Sequence, residues 1–240
     1  MKLILTGASS RVGAKTIELL QDHFEIFPIG RRTNEHPWQL GVELDPEAFR
    51  DAGAIIHFAW SMNDRKADMH LNIGGTSQLA GFAQRMGIPF IFISSIAAIG
   101  DSDYGRTKFE AERYAKLYGG VTIRIGLVVS ANSHTERNSS IHLVPNLKGE
   151  VLISEVTDLS NKIQEILNEL NSGKMLKQEV IYVISGSKSV VELFKKEKGL
   201  NVLIPQFLIK LILNVGSKFS IKIRNNQDAF KSLLSTLERH

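Results

Sequence analysis

Apolar and polar positions alternate in blocks through the first half of the chain. Short runs such as LILTG (3–7), EIFPIG (25–30), AIIHFAW (54–60) and FIFISSIAAIG (90–100) are separated by stretches with helical spacing, AKTIELLQDHF (14–24), PEAFRDAG (46–53) and NIGGTSQLAGFAQRMG (72–87). Ile91, Phe92 and Ile93 are apolar on successive positions, so both faces of that strand must be covered, as in a parallel sheet between helix layers. The alternation predicts an α/β fold, a Rossmann-type doubly wound parallel sheet. A helix at YGRTKFEAERYAKLYGG (104–120) and a strand at VTIRIGLVVS (121–130) continue it.

From about Ser130 to Glu150 the pattern breaks into polar loop, SANSHTERNSS. Here a nucleotide-binding domain (1–130) is expected to give way to a small, reduced C-terminal substrate lobe (131–240) integrated with the core. That remainder predicts a helix (DLSNKIQEILNEL), a strand (EVIYVIS), a helix (SVVELFKKEKG) and an apolar segment, VLIPQFLIKLIL. The last segment has 12 residues interrupted by Lys210, too short to span a bilayer, and is expected to be a core or subunit-contact helix. A peripheral membrane-surface role is the less favoured alternative, raised by the basic KFSIKIR beyond it.

Composition narrows the picture. With 240 residues, 43% hydrophobic and 22% charged, the chain fits one globular α/β domain with an appended lobe. Cysteine is absent, which excludes disulfides, thiolate metal sites and cysteine nucleophiles. The first residues enter a strand pattern without an apolar signal region, so the expected location is the cytoplasm. The net charge of +4 is spread and interleaved with acidic residues. No nucleic-acid stripe stands out, and the modest excess fits an anionic, phosphate-bearing ligand equally well. No histidine spacing suggests a metal site: His57 lies in an apolar strand, and His134 and His142 lie in the polar stretch.

The candidate chemistry starts at TGASSRVG (6–13), where the first strand meets the first helix. A dinucleotide turn needs small residues for tightness, for close approach of backbone N–H groups to pyrophosphate, and for helix-on-strand packing. Gly7 and Gly13 supply the first and third needs, while the middle position falls on Ser10 or Arg11. A serine hydroxyl or an arginine at a helix N-terminus can contact phosphate, so Gly7, Ser9, Ser10, Arg11, Val12 and Gly13 form the predicted cradle. The second strand ends in Gly30, Arg31 and Arg32, without the acidic residue that binds the ribose hydroxyls of NAD. Arginines there favour NADP, with NAD possible. Tyr104 and Lys108, four apart, share a helix face, and an ammonium near a phenol favours its ionised form. Ser95, at the carboxyl end of a strand, can hydrogen-bond the same substrate oxygen.

Taken together and in order, TGASSRVG, Glu43–Leu44 before DPEAF, HFAW (57–60), NIGGT (72–76), FISSIAAIG (92–100) and YGRTK (104–108) resemble the extended short-chain dehydrogenase/reductase family, in its NAD-dependent epimerase/dehydratase group. Beyond Ser130 the resemblance is thinner, at VTDLSNKI and VIYVISGSKSVVELF. It implies that Glu43 and Leu44 lie near adenine, that Phe58 and Ala59 run under pyrophosphate and ribose, and that Asn72 supports the active-site helix. Ser95, Tyr104 and Lys108 are the implied catalytic residues, with Ser94 a structural neighbour and Lys108 also holding the nicotinamide ribose. Two departures point to a reduced substrate lobe: only eight residues separate Ser95 from Tyr104, and Ile125 follows Arg124 where proline is usual. The implied function is an NAD(P)-dependent oxidoreductase or epimerase acting at C4 of a nucleotide-activated sugar in polysaccharide biosynthesis, with an NADP-linked 4-keto-sugar reductase favoured. An NAD-dependent 4-epimerase and a non-catalytic dinucleotide-binding redox regulator are the alternatives. Family pairing through long helices implies a homodimer.

Overall fold

A computed structural model of the chain describes residues 1–31, 38–62, 66–128, 141–146, 150–174, 179–189, 192 and 200–205. In chain order the elements are β1 (Lys2–Thr6), α1 (Arg11–Leu20), β2 (Glu25–Ile29), β3 (Ala52–His57), α2 (Lys66–Met86), β4 (Phe90–Ser95), α3 (Asp103–Leu117), β5 (Val121–Ile125), β6 (Leu127–Val128), β7 (Ile141–Asn146), β8 (Glu150–Ser154), α4 (Val156–Asn171), β9 (Val180–Val183), β10 (Gly186–Ser189) and β11 (Leu200–Pro205). Short 3₁₀ turns occupy Pro46–Phe49 and Ile96–Ile99.

Two compact units divide the chain: residues 1–128 with 154–184, and residues 129–153 with 185–240. The first is built on a parallel sheet of six strands in the order β2-β1-β3-β4-β5-β9. Alternate strand residues feed two cores. Leu3, Leu5, Ala54, Ile56, Ile91, Ile93 and Ile123 pack with Leu20 of α1 and with Leu159, Ile163, Ile166 and Leu167 of α4. Ile4, Ile55, Phe90 and Phe92 point the other way, against Leu79, Ala80 and Ala83 of α2 and Ala111 and Ala115 of α3. The two-sided burial explains the uninterrupted apolar runs. Pro28, which cannot donate to a ladder, is accommodated because β2 is the edge strand.

In the second unit β8 and β10 pair antiparallel, and β11 pairs parallel with β7. Both members of the latter pair correct the sequence expectation. Residues 141–146 form a strand inside the span expected as polar loop. The start of VLIPQFLIKLIL is the strand β11 and not a helix, since Pro205 lacks an N–H for a helical ladder and disfavours the helical conformation at Ile204. The rest of that apolar segment and KFSIKIR lie outside the described residues, as does nearly all of the expected SVVELFKKEKG helix. No helix among the described residues is long and apolar enough to cross a membrane.

Candidate active site

The strand order reverses at β1, whose neighbours are β2 on one side and β3 on the other, and the carboxyl ends of β1 and β3 are where sheets of this kind bind ligands. TGASSRVG leaves the first of these strands and HFAW the second. Gly7 has φ +74°, and a Cβ built there would stand 2.5 Å from the Ala59 nitrogen and 2.6 Å from the Phe58 carbonyl carbon. Glycine alone lets the turn pass so close to the β3 loop. Ser10 caps α1, its hydroxyl oxygen accepting the Gly13 N–H at 3.0 Å, and its own N–H reaches Gly7 O at 2.9 Å. The absent middle glycine is thus replaced by a serine that closes the turn on itself. Arg11 opens the helix and is exposed, with Nη2 donating to the Val128 carbonyl at 3.3 Å. Ser9 is exposed, Val12 packs partly into the first core and Gly13 is buried. With no acidic residue in its first turn, the start of α1 suits an anion.

On the far side of β1, Ile29 is buried, Arg31 is exposed, and Arg32 lies outside the described residues. Leu44 is buried with Ile4, Ile29, Trp38 and Leu40, while Glu43 is exposed. Phe58 is buried, and its N–H donates to Thr6 O at 3.0 Å.

His57 is a member of the site's frame that its residue type alone did not disclose. The Thr76 hydroxyl donates to Asn72 O at 2.8 Å, so it must accept from His57 Nε2 at 3.1 Å, and Nδ1 accepts from the Thr6 hydroxyl at 2.6 Å. With the ring neutral, this chain sets the Nε2–H tautomer. Burial, aided by the charge of Lys108, holds the imidazole down to about 3. The Thr6 hydroxyl also receives the Ala59 N–H at 3.4 Å, tying the end of β1 to the loop after β3. Asn72 acts on the same loop: Oδ1 accepts the Ser61 N–H at 2.7 Å and Nδ2 donates to Ser61 O at 2.9 Å. Its observed partner is therefore the loop beside the cradle. Asp68, one turn earlier on α2, accepts from the Ser61 hydroxyl at 3.0 Å.

Ser95 ends β4 and caps the following 3₁₀ turn, accepting the Ala97 N–H at 3.2 Å. Ser102 caps α3 through the Gly105 N–H at 3.0 Å. A Cβ at Gly105 would stand 2.1 Å from Ala97 O, so glycine lets the first turn of α3 press against the turn after Ser95. This contact brings Tyr104 to Ser95 despite the short link between them. Burial pushes the Tyr104 phenol up to about 12, outweighing its interaction with the Ser95 hydroxyl, which acts to lower it. Lys108, one helical turn on, is buried and donates to Ile93 O at 3.0 Å. Its Nζ lies 3.7 Å from the Trp60 ring centroid and 4.8 Å from that of Phe92. Burial lowers the ammonium to about 7, against the opposing pull of Glu112.

Glu112, on the same face of α3, is a second residue that the sequence analysis did not single out. It accepts from Arg124 Nε at 2.9 Å and Nη2 at 2.6 Å, and from the Ser94 hydroxyl at 2.5 Å. Arg124 Nη1 reaches the Tyr182 hydroxyl at 2.8 Å. The available sequence signal was the i, i+4 pair Lys108 and Glu112 on a helix that must bury one face.

The parallel sheet, its switch point and the glycine-dependent turn define a Rossmann-type α/β protein of the short-chain dehydrogenase/reductase kind. Residues 3–183 match the NAD dependent epimerase/dehydratase family, and the chain belongs to that family. No curated protein matches it. Among solved structures, dTDP-4-dehydrorhamnose reductase from Bacillus anthracis in complex with NADP is similar with a TM-score of 0.68 at 18% identity, covering 86% of each chain. UDP-glucuronic acid 4-epimerase from Bacillus cereus in complex with NAD is similar with a TM-score of 0.64 at 16% identity, over 85% of this chain and 87% of that one. L-threonine dehydrogenase from Phytophthora infestans gives 0.67 at 14% identity over 88% of both chains. At these identities the likeness establishes the fold.

Proposed function

We propose that the chain is an NADP-linked reductase of a nucleotide-activated 4-keto sugar, with Ser95, Tyr104 and Lys108 as its catalytic residues. The observation that supports this most is the close packing of the first turn of α3 on the turn after Ser95, which sets Tyr104 to interact with Ser95 at the carboxyl end of β4, with Lys108 one turn further along α3. The turn around Gly7 and the start of α1 suit a pyrophosphate, so Gly7 and Ser9 to Gly13 would hold the dinucleotide, with Phe58 and Ala59 beneath it, Asn72 fixing their loop, and Glu43 and Leu44 toward adenine. Arg31 and Arg32 would take a 2′-phosphate. When bound, the dinucleotide supplies or accepts the hydride.

The protein's own part is to manage the proton. A phenol held near 12 is protonated at neutral pH, so Tyr104 is loaded as an acid for the oxygen of a ketone undergoing reduction. Ser95 orients that oxygen by a second hydrogen bond. The Lys108 charge counters the negative charge left on Tyr104 Oη after transfer, while burial keeps the phenol protonated beforehand. The second unit would supply the substrate lobe, smaller than the expected 131–240 because residues 154–184 belong to the first unit, and pairing through α2 and α3, which expose Leu71, Phe109, Tyr114 and Leu117, would give a homodimer. A 4-epimerase would use the same three side chains; the arginines in place of an acidic residue after β2 weigh toward the reductase.

Turnover of dTDP- and UDP-linked 4-keto sugars with NADPH and NADH tests this reading. Arg31→Asp combined with Arg32→Ala shifts the kcat/KM ratio from NADPH toward NADH by about tenfold, the worth of one charge-assisted hydrogen bond to phosphate. An unchanged ratio contradicts the assignment of these arginines.

A further inference from the structure

We propose that Trp60 is a positioning residue whose ring face seats the Lys108 ammonium and which braces the Tyr104 ring in a T-shaped contact. The inference rests on the functional reading above for what the two side chains do, but not for their contacts. Lys108 Nζ is 3.7 Å from the Trp60 centroid, and the Tyr104 ring is T-shaped to the same indole, with centroids 6.2 Å apart and planes at 81°. Phe92 backs the arrangement, 6.1 Å from Trp60 and 4.8 Å from Lys108 Nζ. A cation over an indole face in a water-poor site is held more firmly than one in solvent. An edge-to-face ring pair restricts the second ring. Two flexible side chains thus share one rigid support, which is itself fixed through the clamp of Asn72 on the adjacent Ser61.

The placement also answers the short link between Ser95 and Tyr104. Eight residues supply little wall around the reacting groups, and a half-buried indole from the β3 loop supplies bulk directly beside them. Trp60 touches Lys108 and Tyr104 and acts through them.

Trp38 and Trp60 are the only tryptophans in the sequence, so Trp38→Phe isolates Trp60 as a fluorophore. The titratable groups facing Lys108 are His57 from β3 and Glu112 from α3, the latter paired with Arg124 on β5. Around neutrality His57 stays neutral and Tyr104 protonated, leaving Lys108 as the neighbour of Trp60 whose charge changes. Because an ammonium at a ring face quenches indole, Trp60 emission rises as the pH goes up through the Lys108 transition. Lys108→Met abolishes that rise. A flat emission, or the same titration in Lys108→Met, overturns the proposal. Should Trp38→Phe fail to fold, the difference between wild-type and Trp60→Phe emission gives the same curve.

In turnover of a nucleotide 4-keto sugar, Trp60→Leu lowers kcat about tenfold, the scale of a desolvated cation–π contact, while KM stays unchanged. Trp60→Phe restores most of it. Wild-type kcat in Trp60→Leu overturns the proposal. A chain that reduces no keto sugar fails the functional reading alone, and the fluorescence titration still decides the case for Trp60.

Discussion

Tyr104→Phe removes the proton donor and leaves everything around it in place, so turnover falls by about 10²–10⁴-fold, the usual worth of a positioned general acid. Phenylalanine keeps the ring that packs T-shaped against Trp60, and Gly105 still lets α3 approach Ala97. What disappears is the hydroxyl that interacts with Ser95. The turn around Gly7 and the start of α1 are unchanged by the substitution, so dinucleotide affinity remains at the wild-type level. Single-turnover oxidation of NADPH with a keto-sugar substrate, set beside calorimetric binding of NADPH, separates the two effects. A variant that binds and turns over like wild type removes Tyr104 from the chemistry.

Glu112→Ala is expected to be among the most destabilising single changes in the first unit. The carboxylate is buried and takes two N–H bonds from Arg124 and one hydroxyl from Ser94, so its removal leaves a guanidinium and a hydroxyl without their partner. Breaking a buried pair from one side costs about 3–5 kcal/mol. Against a typical stability of about 5–15 kcal/mol, that is a large fraction. Burial disfavours the Arg124 charge, while its bonds to Glu112 raise its pKa, so the alanine variant keeps the cost and loses the compensation. Urea melts of the full chain measure the loss. The double variant Glu112→Met with Arg124→Met recovers most of it, because a packed apolar pair replaces the charges together. A loss below about 1 kcal/mol in Glu112→Ala, the range of a surface ion pair, contradicts this account.

The sheet was legible because each of its central strands is covered on both faces. Leu3, Ile4 and Leu5, or Ile91, Phe92 and Ile93, feed opposite cores in turn, and no other arrangement buries such runs so simply. The helices α1 and α4 were legible from their spacing, whereas α2 begins at Lys66, ahead of the predicted NIGGT start. The strand β11 was not legible: its pairing with β7 depends on a distant segment, while its own apolar run suits a helix or a strand equally. In the candidate site, Gly7, Ser95, Tyr104 and Lys108 stood out because their types and spacing bear on chemistry directly. His57 and Trp60 did not, since their importance lies in partners far along the chain. Thr6 and Thr76 meet His57 from β1 and α2, and Lys108 reaches Trp60 from α3. Arg11 shows the converse: its type suggested a phosphate contact, and its observed bond is to the Val128 carbonyl.

The most direct test of the central claim is a calorimetric titration of the purified chain with NADPH, NADP⁺, NADH and NAD⁺. Tight binding of the two phosphorylated forms and weaker binding of the other two are expected. Binding of none of the four would contradict the claim, for the turn built on Gly7, Ser10 and Gly13 would then hold no dinucleotide and the catalytic assignment of Ser95, Tyr104 and Lys108 would have no hydride to serve.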